Sequence, residues 1–133
     1  AYSYVKKKTK NSKSALKFFN DNEIHLHVPA GAVPKDGPSA GVTMATALMS
    51  LVTGAKVKKN VAMTGEMSLV GKVLPVGGIR EKVLAAKRMG IKTIIIPKQN
   101  KKDLKEMPEA NLKGLQFVFA ENIEDVFSAA LTF

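Results

Sequence analysis

The sequence predicts a domain of strands and helices, α/β or α+β, in which helices pack on a sheet. Short β-branched and aromatic runs (Val61 to Thr64, Thr93 to Ile96, Gln116 to Phe119) alternate with segments of helical apolar spacing (Pro38 to Thr53, Ile79 to Met89, Asn122 to Leu131). Glycine or proline marks many of the junctions. With 133 residues the chain makes one domain, residues 1–133, because two halves would each be too small to bury a good core. The alternation by itself admits α/β as well as α+β.

In chain order, Ala1 to Asn20 is expected to be one helix, from the spacing of Tyr4, Ala15, Leu16 and Phe19, although Lys6 to Ser14 interrupts it with polar residues. Asn20-Asp21-Asn22 is expected to turn the chain. Ile24 to Val28 alternates apolar and histidine residues, the period of a half-buried strand, and Pro29 ends it. Pro38 suits the first turn of a helix, and Gly54 suits the position just past its end. Val61 to Thr64 is a strand, and Glu66 to Pro75 a hairpin turning at Val70-Gly71. Gly77-Gly78 leads into the helix at Ile79, which Gly90 stops. Thr93 to Ile96 is apolar on both faces and is expected to be buried. A short helix over Lys101 to Glu106 and a strand over Gln116 to Phe119 follow. Asn122 with Asp125 three residues on predicts a capping box for the last helix.

Composition removes several function classes. With 45% hydrophobic and 24% charged residues the chain is ordinary for a globular protein. There is no cysteine, so disulfides, thiolate chemistry and Cys-based zinc sites are excluded. His25 and His27 are too few for a structural zinc site, and no metal is expected. No apolar run reaches the roughly 18–20 residues of a membrane span, and Tyr2 to Lys17 holds no apolar block of a secretory signal. The net charge is +10, but six lysines (Lys6, Lys7, Lys8, Lys10, Lys13, Lys17) precede the first acidic residue, Asp21. The charge is therefore concentrated near the first helix. It fits either a solvated helix face or a polyanion patch. No aromatic or arginine is interleaved after Tyr4, which disfavours base stacking.

The segment Pro34-Lys35-Asp36-Gly37-Pro38-Ser39-Ala40-Gly41 delivers a serine into the first turn of a helix. There, free N–H groups and the positive end of the helix dipole could hold an oxyanion while the hydroxyl attacks a carbonyl. A plain Ser/Pro helix cap is the ordinary alternative. Gly37-x-Ser39-x-Gly41 fails as a hydrolase nucleophile elbow, because a nine-residue Pro/Gly loop separates the serine from the preceding strand and both histidines come before it. Gly65 to Lys72 fails as a nucleotide-binding loop: five residues separate its glycines, and Val73 follows the lysine. A serine nucleophile needs a base, and a lysine serves only when desolvation brings its pKa down from about 10.4. On the helix from Ile79, a turn of about 100° per residue places Lys82 on the arc of Ile79, Val83, Ala86 and Met89. Arg80, Glu81, Lys87 and Arg88 fall on the other side. Snorkelling of the Lys82 stem is an equally good account of that spacing.

Four blocks, Pro29-x-Gly31-Ala32-x-Pro34-Lys35-Asp36-Gly37-Pro38-Ser39-Ala40-Gly41, Met63-Thr64-Gly65-Glu66, Leu74-Pro75-Val76-Gly77-Gly78 and Glu81-Lys82-x-x-Ala85-Ala86, occur in this order, with 43 positions from Ser39 to Lys82. Together they resemble the proteolytic domain of the Lon family of ATP-dependent serine proteases, in its bacterial and mitochondrial branch. The resemblance covers Ile24 to Leu131 and implies the family's α+β fold and a Ser-Lys dyad endopeptidase. Ser39 matches the nucleophile and Lys82 the base. Thr64 matches the hydroxyl that orients the lysine, and Glu66 lies in the same block. Asp36 matches a loop residue that opens or blocks the site. The backbone of Gly37, Pro38 and Ala40 lies where the oxyanion would be held. His25 and His27 match a strand pair near the site and are expected to be plain sheet residues. Val70 stands where many bacterial members carry arginine. The resemblance further implies hexameric rings, unfolded-protein substrates, contact with DNA in the full-length protein, no membrane, and a cytoplasmic or mitochondrial-matrix location. ATP and magnesium would belong to an ATPase domain outside this sequence, with no cofactor in the sequence itself. The family's first strands are also missing, so a fragment is expected. Two other classes compete: a basic nucleic-acid-binding domain, and an assembly domain without activity.

Overall fold

Ile95, Ile94 and Ile96 show how the layers are arranged. In the computed structural model, which describes residues 1–27 and 38–133, these three side chains on one strand are buried, with Ile95 in one apolar cluster and its two neighbours in another. Successive side chains on a strand point to opposite faces, so a strand buried on both faces reads as a continuous apolar run.

The elements run as follows. Helices α1 (Tyr2–Lys8) and α2 (Lys13–Asp21) open the chain. A 3-10 turn, Pro38–Ala40, leads into α3 (Gly41–Thr53). Strands β1 (Lys56–Val57), β2 (Val61–Met63), β3 (Glu66–Met67) and β4 (Val73–Leu74) come next. Helix α4 (Ile79–Arg88), β5 (Thr93–Pro97), a 3-10 turn (Lys98–Asn100), α5 (Lys101–Lys105) and α6 (Glu109–Leu112) follow. Strand β6 (Gln116–Ala120), α7 (Ile123–Ala130) and β7 (Leu131–Thr132) close it.

The central sheet is parallel, in the order β2-β5-β6, with Ala62 opposite Ile94 and Ile94 opposite Phe117. Two antiparallel pairs, β3 with β4 and β1 with β7, flank it and make the sheet content mixed, as the α+β expectation requires. One cluster contains Val42, Ala45 and Leu48 of α3, Ile95 of β5, and Ile123, Val126 and Phe127 of α7. The other contains Ile79, Val83 and Ala86 of α4 with Ile94, Ile96 and Leu104. The strand β5 and the helices α3 and α4 therefore meet where the candidate residues lie.

Several expectations hold in detail. Gly54 ends α3 in the left-handed region (φ 77°) and donates to the Ser50 carbonyl. The Asp125 carboxylate accepts from the N–H groups of Glu121 and Asn122, and the capping box of α7 is complete. The hairpin turns at Gly71, where φ is +85° and any Cβ would come within 2.5 Å of the Tyr4 ring.

Others are corrected. The expected single helix over Ala1 to Asn20 is two. Thr9 turns its hydroxyl onto the Val5 carbonyl, and the Ser12 hydroxyl caps α2 by accepting from the Ala15 N–H. Short hydroxyl side chains compete in this way with helix propagation where no apolar face holds it. Asp21 belongs to α2 instead of a turn. Residues 22–27 form no strand, and Val28 to Gly37 lie outside the described residues. Among the described residues no strand pairs with residues 22–27, and alternation alone does not make a strand. Met89 is 81% exposed and leaves the arc assigned to it, because α4 has already ended there. Leu131 pairs as a strand after α7.

Candidate functional site

The site is built where the end of β2 meets the start of α3. Past β2 the chain continues its bonding to β5, with Thr64 N–H donating to the Ile95 carbonyl (3.1 Å). Gly65 N–H then donates to the Ser39 carbonyl (2.9 Å), and Val42 N–H to the Gly65 carbonyl (3.1 Å). These two bonds lock the 3-10 turn carrying Ser39 onto the end of the sheet. They require close approach. A Cβ on Gly65 would lie 3.0 Å from Cγ1 of both Val42 and Val73, and one on Gly41 would lie 3.1 Å from the Met67 nitrogen.

Lys82 comes from α4, whose first turn follows Gly78 in the left-handed region (φ 71°). Its Nζ donates to Thr64 Oγ1 (3.2 Å) and to the Gly77 carbonyl (3.0 Å). The buried Thr64 hydroxyl in turn donates to the Ser39 carbonyl (3.3 Å). A hydroxyl has one donor and two acceptor lone pairs, so Thr64 can serve both neighbours at once. Ser39 and Lys82, 43 positions apart in sequence, are thus joined through one side chain.

Both residues line a cavity of about 360 Å³. Ser39, Thr43, Thr64 and Lys82 supply its polar wall, and Ala62, Met63, Ala85, Ala86 and Ile94 most of the rest. Apolar walls around an amine disfavour the ammonium form. Among the described residues, the first turn of α3 holds no acidic side chain to neutralise the positive end of the dipole.

The remaining expected residues are distributed unevenly. Ala40 lines the cavity. Pro38 opens the 3-10 turn but has no N–H to offer an oxyanion. Glu66 is half-buried on β3, paired opposite Leu74, and does not line the cavity. Asp36 and Gly37 lie outside the described residues. His25 and His27 are exposed, away from the cavity lining. Reasoning from the sequence did not find the Gly77 carbonyl as a lysine partner; the Gly77-Gly78 pair before a helix was its one visible signal. Among the described residues no group of three or more His, Asp or Glu side chains could hold a metal ion, and no helix is long and apolar enough to cross a membrane.

A larger cavity, about 590 Å³, lies beside β6 and α7. Its carboxylates are engaged: Glu121 with Lys98 (2.7 Å) and Asp125 with the α7 cap. The Glu121 carboxylate raises the Lys98 pKa above its ordinary value. Ser128 and Lys98 both line this cavity, but Lys98 is exposed and paired with Glu121, which holds it as the ammonium.

The lysine-rich α1 docks through its other face. The Tyr4 hydroxyl donates to Glu124, and Lys8 pairs with the same carboxylate at 2.9 Å. Burial, with the Glu124 hydrogen bond and charge, pushes the Tyr4 phenol up to about 12. Burial also pulls Glu124 upward, but the hydrogen bonds from Tyr4 and Lys8 outweigh it and its pKa lies below the usual value.

Comparison with known proteins identifies the family of the chain. Residues 1–133 match the family model described as the Lon protease (S16) C-terminal proteolytic domain. The chain is 59% identical over 131 residues to Lon protease of Geobacter metallireducens, covering 98% of this chain and 16% of that protein. It is 56% identical over 131 residues to Lon protease of Anaeromyxobacter dehalogenans, with the same coverage. It is 56% identical over 133 residues to Lon protease 2 of Hydrogenovibrio crunogenus, all of this chain and 15% of that protein. The chain therefore spans about one-sixth of the length of these relatives.

Proposed function

Because the chain belongs to the Lon protease (S16) C-terminal proteolytic-domain family, we propose that it hydrolyses peptide bonds of unfolded polypeptides, with Ser39 as nucleophile and Lys82 as general base. One observation carries the proposal: Ser39 and Lys82 line the same cavity and share Thr64 as a hydrogen-bond partner.

The chemistry follows from donors and lone pairs. A neutral amine has two N–H bonds and one lone pair. Thr64 Oγ1 and the Gly77 carbonyl can accept the two N–H bonds, which turns the lone pair toward a third tetrahedral direction. As Ser39 Oγ attacks the peptide carbonyl, its proton passes to Lys82 Nζ. The oxyanion develops near the start of α3, where Ala40 lines the cavity and the helix dipole is positive. Collapse of the tetrahedral intermediate breaks the C–N bond, and Lys82 returns its proton to the departing amine. An ester to Ser39 remains. Water then attacks the ester, Lys82 again takes the proton and passes it to Ser39 Oγ as the C–O bond breaks, which regenerates the free alcohol and the neutral amine.

An ordinary lysine, with a pKa of about 10.4, is neutral in only about one molecule in a thousand near pH 7.4. Each unit of depression raises that fraction about tenfold. The apolar walls work in that direction, while the Gly77 carbonyl dipole favours the ammonium form. Catalysis thus requires burial to outweigh this contact when the cavity is closed over substrate.

Gly65 to Lys72 runs through β3 and the turn into β4, a hairpin that does not fit an ATP-binding loop. ATP-driven feeding of substrate by an ATPase domain, assembly into a hexameric ring and contact with DNA are proposed for the full-length protein.

The test is peptide cleavage by the full-length protein with Ser39→Ala, Lys82→Met and both. Each single variant is expected to lose at least about 1,000-fold, and the double variant no more, because residues acting as a unit are non-additive. Full turnover in either single variant would overturn the dyad.

A further inference from the structure

Asn100 is buried, 3% exposed, at the junction of β5 and α5. Its Oδ1 accepts from the Val76 N–H (3.0 Å), and its Nδ2 donates to the Val76 carbonyl (2.8 Å) and to Asp103 Oδ2 (2.9 Å). One carboxamide thus grips the backbone on both sides of Val76, as a neighbouring strand would, and Asp103 sets the orientation of the grip. The next peptide carbonyl, that of Gly77, is the one that accepts from Lys82 Nζ.

The local sequence itself leaves this turn loose. Gly77 and Gly78 are the two residues between the grip and α4, and glycine leaves the backbone free to rotate. Among the described residues, an added Cβ on Gly77 would meet no atom within 4 Å. The Gly78 carbonyl is anchored from the α4 side by the Lys82 N–H (3.1 Å). The Gly77 carbonyl is therefore held between two anchors: the first turn of α4 on one side and Asn100 on the other.

We propose that Asn100 is a positioning residue for Lys82, holding the Gly77 carbonyl against the Lys82 amine through its two bonds to Val76. The proposal rests on the dyad described above. Without the grip, the carbonyl swings away and the amine loses an acceptor that aligns it. Two effects follow, of opposite sign at neutral pH. Misalignment slows proton transfer, and loss of a carbonyl dipole weakens the ammonium form, so Lys82 deprotonates at lower pH. Among the described residues, two carboxylates lie beside this turn: Glu81 on α4, whose Oε2 would lie 3.9 Å from a Cβ on Gly78, and Asp103 on α5. Asn100→Ala keeps both carboxylates and takes from Asp103 the Nδ2 donor at 2.9 Å.

The experiment measures the rate at which an alkyl fluorophosphonate modifies Ser39 in the full-length protein across pH. In that reaction Oγ bonds to phosphorus, fluoride leaves, and the proton goes to the base. Wild type, Asn100→Ala, Asp103→Ala and Lys82→Met are compared, with thermal unfolding recorded for each. Asn100→Ala is expected to lower the plateau rate about tenfold or more and to move the acidic limb down by about half a unit or more. Asp103→Ala, which leaves the carboxamide in place but unsteered, is expected to give a smaller change of the same sign. It carries the test should Asn100→Ala not fold. Variants with wild-type limbs and plateaus, or with a lowered Tm and an unmoved limb, overturn the positioning role. If Lys82→Met is modified as fast as wild type, the dyad itself falls, an outcome distinct from failure of the Asn100 variants alone.

Discussion

Replacing Thr64 with valine removes one hydroxyl and nearly nothing else. Valine matches threonine in shape, and position 64 is 8% exposed, so cavity formation adds little. Two hydrogen bonds are lost, one donated to the Ser39 carbonyl and one accepted from Lys82 Nζ. The Ser39 carbonyl keeps the Gly65 N–H at 2.9 Å, so its desolvation penalty is only partly exposed. A stability loss of about 1–2 kcal/mol is expected, the usual range for a net hydrogen bond or two. The catalytic loss is expected to be larger than that suggests. A base displaced by roughly 1 Å costs about 10²-fold, or about 2.7 kcal/mol of barrier at 1.36 kcal/mol per tenfold change. Because an apolar methyl replaces an acceptor, the ammonium form of Lys82 is weakened and the acidic limb of kcat/KM moves to lower pH. The rate must therefore be compared on the plateau of the profile. The assay is peptide cleavage by full-length Thr64→Val and Thr64→Ser proteins from pH 5 to 10, with Tm measured alongside. Thr64→Ser keeps the hydroxyl and should recover most of the rate. Wild-type kcat in Thr64→Val, with an unshifted limb, would refute the bridging role of this hydroxyl.

Gly65→Ala forces a Cβ to 3.0 Å from both Val42 and Val73, two buried β-branched side chains with little room to yield. A loss of about 1–3 kcal/mol is expected from overpacking, read as a lower Tm, with activity falling as the Ser39 turn is pushed from the sheet. Tyr4→Phe should destabilise the docking of α1 and raise the acid-unfolding midpoint. Glu124 has a folded pKa below its unfolded value, so its contribution is present above the unfolded pKa and lost as pH falls through the folded one. Tyr4, raised to about 12, works at the other end: its contribution is full below about 10 and lost as pH rises toward about 12. An acid and alkaline unfolding series on wild type and Tyr4→Phe checks both limbs, and coincident curves would contradict the pairing.

What was legible in the sequence was periodic or punctuated. The helix over Gly41–Thr53 stood between Pro38 and Gly54, and Thr93–Pro97 read as buried because an uninterrupted Ile-Ile-Ile run fits a strand covered on both faces. Lys82 was visible as a cation on the face of Ile79, Val83 and Ala86, and that arc does line up with the sheet. Elements of two residues, β1 and β7, carry too few positions for any period to register. The break between α1 and α2 depends on hydroxyl side chains competing for backbone groups, which apolar spacing does not report. At the site, the resemblance pointed to Ser39, Lys82 and Thr64, and the fold adds how Thr64 touches both others. The Gly77 carbonyl and Asn100 were not legible, because backbone acceptors and a lone buried amide leave no pattern along the chain.

The central requirement is that Lys82 be largely neutral where it works. Its titration can be followed in the assembled full-length protein by limiting acetylation across pH, with the Lys82 peptide quantified by mass spectrometry. Ser39→Ala serves as the background, so that no acyl-enzyme forms. A midpoint well below the ordinary lysine value of about 10.4, moving further down with Thr64→Val, is the expected result. A Lys82 that titrates with the exposed lysines, in the presence and absence of a bound peptide, would contradict the dyad.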